Sequence, residues 1–144
     1  MAEDMKNLLS ALGIPLLLAA CAVGPTVQDE PLVERYWRVL AIDGQPLPAG
    51  VNRAEPHIVL TAALRTHGSD GCNRFHGSYD TAAGLQFGQM ASTMMACPPP
   101  LDALARQFSA AIGATADYRI TGRVMELLDA RGKVRLRLEA TALK

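Results

Sequence analysis

An excess of charge of either sign is missing from this 144-residue chain: 14 Lys and Arg stand against 14 Asp and Glu. Residues 1–20 hold only Lys6, Glu3 and Asp4, so without them the balance is still 13 basic to 12 acidic. Such a chain carries no electrostatic footprint for nucleic acid, and none for an acidic partner. Catalytic signatures are missing too: there is no Walker loop, dinucleotide fingerprint, His-Glu-x-x-His or Gly-x-Ser-x-Gly. No internal repeat or low-complexity tract is present, and the length suits one domain rather than two. Cysteine is sparse and odd in number, with Cys21, Cys72 and Cys97. In an exported protein that count leaves one thiol over.

The one uncharged apolar run, Leu8–Ala20, is too short to span a bilayer core, which takes about 20 residues at helical rise. It fits the apolar region of a signal peptide, which ends in small side chains. Glu3 and Asp4 do not suit its basic start, whereas Met5-Lys6-Asn7 does, so Met5 is read as the true start. Gly13 and Pro15 disfavour a continuous globular helix here. Leu18-Ala19-Ala20-Cys21 resembles the bacterial lipobox, in which the cysteine thiol takes a diacylglycerol and cleavage follows just before it. Several acyl chains give stable anchoring where one would be marginal. The expected organisation is therefore a lipoprotein signal peptide over 1–20, a tether over 21–32 and a domain over 33–144, with Cys21 lipidated. Ala22, rather than Asp, after the cysteine implies by resemblance to bacterial sorting rules an outer-membrane lipoprotein facing the periplasm.

Within the domain, Arg35–Ile42 alternates as a strand that puts Trp37, Val39 and Ala41 on one side and ends at Asp43-Gly44. Gln45–Pro56 reads as a loop and His57–Ala63 as a second strand. Gly68–Gly77 reads as a glycine-rich turn region, with short strands at Ser78–Asp80 and Leu85–Gly88. Pro98-Pro99-Pro100 introduces a helix near residues 100–113. Its stripe is Leu101, Leu104, Ala105, Phe108, Ala111 and Ile112; Asp102 suits the first turn, and Gly113 the stop. Strands are expected at Asp117–Thr121, Val124–Asp129 and Lys133–Ala140. The last has Lys133, Arg135, Arg137 and Glu139 on its outer face, which discourages edge pairing. Met90, Met94 and Met95 are read as core packing, with a soft-metal or docking surface as the alternative.

Two segments, Gly71-Cys72-Asn73-Arg74-Phe75-His76-Gly77-Ser78-Tyr79 and Phe87 to Cys97 with its Met90-Ala91-Ser92-Thr93, resemble the META domain of HslJ-like heat-shock lipoproteins. The resemblance covers roughly residues 33–140. Met94 departs from the basic residue usual after the threonine, which puts any surface role of that charge in doubt. The resemblance implies an α+β, mainly β fold: a small, strongly curved, mostly antiparallel, barrel-like sheet packed with one helix. It implies no enzymatic activity and no cofactor. Family members are linked loosely to envelope stress, without a common ligand.

Within these motifs Gly71 and Gly77 are expected to adopt backbone conformations closed to other residues. Asn73 suits a turn, and Tyr79 and Thr93 complete the structural motif. Because the fold would bring the two motifs together, Cys72 and Cys97 are expected to form a disulfide in an oxidising envelope. Two buried thiols are the alternative. A metal site from Cys72, His67, His76 and Cys97 matches no familiar zinc spacing. A Cys72 nucleophile with a histidine base lacks a third orienting group. The expected partners are a membrane, through the N-terminal lipid, and an unidentified envelope protein or ligand. The leading reading is a lipid-anchored, non-enzymatic envelope module; the alternatives are a periplasmic inhibitor or holdase, then an enzyme or metal-binding protein.

Overall fold

A computed structural model describes residues 24–50 and 54–143. The expected signal peptide and Cys21 lie outside the described residues. Among the described residues, ten strands and one helix follow in order: β1 Tyr36–Ile42, β2 Gln45–Pro46, β3 His57–Leu60, β4 Arg65–Ser69, β5 Arg74–Asp80, β6 Gln86–Phe87, β7 Ala91–Ser92, α1 Leu101–Ala114, β8 Thr115–Thr121, β9 Val124–Asp129 and β10 Val134–Thr141. The sheet runs β6-β5-β4-β3-β1-β10-β9-β8, with β2 on β1 and β7 on β5. All its pairings are antiparallel. The two ends of the path meet where the Leu85 amide donates to the Ala116 carbonyl at 3.2 Å. This makes the sheet a nearly closed barrel with one helix, the α+β, mainly β fold expected.

Curvature comes from bulges. The β1–β10 register slips between Val39 and Ala41, the β10–β9 register between Val134 and Leu136, and the β8–β9 register between Thr115 and Asp117. Each extra residue bends its strand and raises local twist. The first bulge also corrects the reading of β1. Side chains alternate faces with period two, so an inserted residue reverses the pattern. Ile42 is therefore buried, and Ala41 only half-buried.

The barrel is filled by Trp37, Ile58, Leu60, Phe75, Met125, Leu127, Leu136 and Leu138, with Phe108, Ala111 and Ile112 packed in from α1. Leu104 is only half-buried, so the helical stripe is narrower than its sequence suggested. Asp102 occupies the first turn and pairs with Arg106 one turn on. Gly113 does not end the helix with a left-handed residue. The chain leaves at Thr115 in an extended conformation, and the Thr115 hydroxyl donates to the Ala111 carbonyl at 2.9 Å. Residues 29–32 lie on the domain: the Trp37 indole donates to the Leu32 carbonyl at 2.9 Å, and the Glu30 amide to Gly122 at 2.8 Å.

The largest correction concerns residues 65–77. They form a β-hairpin, β4–β5, rather than a turn region. Gly68 and Gly77 sit inside strands because neighbours approach too closely for a side chain. A Cβ on Gly68 would meet the His57 carbonyl, and one on Gly77 would meet the Met90 sulfur and the Gln89 carbonyl. Gly77 thus serves close approach, not an unusual backbone angle. β3 also ends at Leu60 rather than Ala63, since Thr61 to Arg65 close the β3–β4 turn.

Candidate functional site

The tip of the β4–β5 hairpin is built by side chains bonding to their own backbone. The Asp70 amide donates to the Asn73 carbonyl at 3.0 Å, closing the turn around Gly71 and Cys72. Asp70 Oδ1 accepts from the amides of Cys72 at 2.8 Å and Asn73 at 2.6 Å; Ser69 Oγ accepts from Gly71 at 3.0 Å. Gly71 has φ +96°, a conformation costly for any residue with a Cβ. An aspartate bonding backbone two residues on is a recognised turn device. Asp70 was missed in the sequence, although Asp70-Gly71 before the cysteine carries that signal.

Asn73 joins the first motif to the second. Its Oδ1 accepts from the Thr93 hydroxyl at 2.9 Å and the Met95 amide at 2.7 Å. Thr93 Oγ1 in turn accepts from the Arg74 amide at 3.1 Å, while the Thr93 amide donates to the Arg74 carbonyl at 3.0 Å. The Cys72–Cys97 disulfide, with Cα atoms 6.2 Å apart, fastens the same two segments covalently. Cys72, Leu101 and Ala105 form a small apolar cluster beside it, under the start of α1. Gly71, Cys72, Asn73, Thr93 and Cys97 are therefore brought together. Tyr79 is not among them. It is buried at the far end of β5, where its hydroxyl donates to the Thr61 carbonyl at 2.6 Å, and burial pushes its pKa up.

The methionines depart from expectation. Of Met90, Met94 and Met95, only Met90 packs against the core; Met94 is 93% exposed and Met95 45%. Both follow Thr93 in an irregular segment that runs to the disulfide, so no strand or helix face turns them inward. They overhang an open groove of about 720 Å³ shared with Asn73, Cys97, Asp102 and Arg106. There the Arg106 guanidinium holds the Asp102 carboxyl below the usual range. Asp70, Ser92 and Ser109 line both this groove and a smaller, mostly apolar cavity of about 130 Å³ between α1 and the sheet.

The histidines lie elsewhere. His67 and His76 face each other across β4–β5, exposed, and His57 stacks on Tyr36 with ring centroids 4.2 Å apart. Burial, and then the Glu55 carboxylate, raise the Tyr36 pKa to about 12. Among the described residues, no group of three or more His, Cys, Asp or Glu side chains is arranged to hold a metal ion. With both sulfurs in a disulfide, neither Cys72 nor Cys97 presents the thiolate that ligation or nucleophilic attack needs.

The META domain family model matches residues 30–142, which takes in the whole barrel and the helix. The chain belongs to the META domain family. Two structures solved by NMR share this META fold. One is 24% identical with a TM-score of 0.59, over 75% of this chain and 90% of the other. The second, from Burkholderia xenovorans, is 23% identical with a TM-score of 0.62, over 78% of this chain and 85% of that one. At these identities the likeness speaks for fold alone. No curated protein matches the chain.

Proposed function

We propose that this META-domain chain is a lipid-anchored, non-enzymatic binding module of the cell envelope, tethered through Cys21 and facing the periplasm from the outer membrane. The observation that carries the reading is the Cys72–Cys97 disulfide. Disulfides persist in oxidising compartments, and this one uses two of the three cysteines. The remaining one, Cys21, directly follows the apolar run and Leu18-Ala19-Ala20. The non-enzymatic part rests on how the motif residues are used: Cys72, Asn73, Thr93, Cys97 and Tyr79 are all bonded within the fold. Fractionation of the native host tests the anchor. The wild-type chain should need detergent to leave the outer membrane, and Cys21→Ser should be soluble in the periplasm. A wild-type chain that is soluble without detergent overturns it.

A second reading, a periplasmic inhibitor or holdase that engages another protein, is favoured by the exposed Met94 and Met95 above the groove. Methionine adapts to irregular apolar partners. Suppression of aggregation of an unfolded client, lost in a Met94→Lys/Met95→Lys variant, supports this reading; no suppression by the wild type removes it.

A further inference from the structure

We infer that the cavity beside Asp70 is a binding site for a compact organic ammonium whose apolar body is about the size of one aromatic ring. The inference stands whether or not Cys21 carries lipid. The cavity lies between α1 and the β5–β7 side of the sheet, and its walls are Phe75, Phe87, Met90, Phe108 and Ile112. Its volume, about 130 Å³, is close to that of an engineered apolar cavity of about 150 Å³ that takes up benzene. Size therefore admits one ring or a short branched chain.

The charge comes from Asp70, which is only 7% exposed and lines both the cavity and the outer groove. Its Oδ1 is occupied by the two turn amides. Its Oδ2 accepts no hydrogen bond from the described residues. Nor is Oδ2 sealed off, since the one fully buried side-chain nitrogen or oxygen without a partner among the described residues is Arg38 Nε. Without a partner among the described residues, Oδ2 thus keeps an opening, and Asp70 lines both this cavity and the groove. No described Lys, Arg or His forms a salt bridge with Asp70; Arg106, on the groove side, is paired with Asp102.

A carboxylate oxygen on a residue only 7% exposed, with no cation partner among the described residues, invites one, because charge-assisted hydrogen bonds are the stronger kind. The aromatic walls favour the same sign, since ring faces attract cations. An anion of equal size would meet the carboxylate and be repelled. The hydroxyls of Ser92 and Ser109 at the cavity wall offer further acceptors for an ammonium.

Titration of the purified chain with benzylammonium, benzyl alcohol and benzoate, followed by NMR shifts of Met90 and Ile112, tests this. Benzylammonium should move both residues saturably and bind about tenfold more tightly than the alcohol, a factor one charged hydrogen bond supplies. Benzoate should not bind. Asp70→Asn should bring benzylammonium to the alcohol's affinity, because the amide oxygen can still accept from the Cys72 and Asn73 amides. Equal affinity for cation and alcohol, or no saturable shift at Met90 and Ile112, overturns the inference. If Asp70→Asn does not fold, the three-ligand comparison on the wild type decides alone.

Discussion

The side-chain carbonyl of Asn73 accepts the Thr93 hydroxyl at 2.9 Å, and through that bond the hairpin tip and the Met-rich segment become one unit. The same oxygen also takes the Met95 amide. Asn73→Ala removes both bonds, and should cost about 1–3 kcal/mol because backbone and hydroxyl donors lose their acceptor. Asn73→Asp retains the oxygen and should cost less. Urea midpoints of the two variants check the order; equal midpoints would deny the acceptor role.

Reduction of the Cys72–Cys97 disulfide acts on the same junction. Its loop spans a sequence separation of 25, for which chain entropy gives about 3–4 kcal/mol. A Cys72→Ala/Cys97→Ala variant should unfold at a correspondingly lower denaturant concentration. Addition of reductant should lower the wild-type midpoint and leave the variant unmoved.

Two glycines should respond in opposite directions. Gly77→Ala drives a methyl into the Met90 sulfur and the Gln89 carbonyl, the latter only 2.8 Å from the new carbon, and should destabilise by about 1–3 kcal/mol as overpacking does. A Cβ on Gly113 meets nothing within 4 Å. Gly113→Ala, late in α1, should therefore be neutral or stabilise by up to about 1 kcal/mol. Thermal melts of both variants would show whether close approach is what Gly77 serves.

Alkaline pH should weaken the fold through Tyr36. Its phenol keeps its proton up to about 12 in the folded chain, against 10.0 as the ordinary value. Between those values the unfolded state gains by ionising, so stability is intact below the lower one and declines as pH rises through the window. Tyr36→Phe should flatten that decline and remove the highest tyrosinate step in an ultraviolet titration.

Much of this was legible from residue pattern. Alternation located Val124–Asp129 to the residue, and helical spacing after three prolines located α1. What failed did so for physical reasons. Gly68 and Gly77 carry the composition of a turn, yet their strand role depends on neighbours far along the chain. The bulge after Val39 reverses which of Ala41 and Ile42 points inward, and depends on pairing with β10. Met94 and Met95 look like core residues by composition, but only tertiary structure shows that they lie at the surface. At the site, the cysteines and Asn73 were visible through the family motif. The turn role of Asp70 was carried by Asp70-Gly71, but its open oxygen was not legible, because it emerges only once α1 and the sheet flank a cavity.

The account turns on how the three cysteines are used, and mass-spectrometric peptide mapping of the chain from its native envelope, without reductant, reads all three at once. It should yield a cross-linked Cys72–Cys97 peptide and an N-terminal Cys21 carrying lipid. Alkylatable thiols at Cys72 and Cys97, with Cys21 unmodified and still preceded by Ala20, would contradict the account.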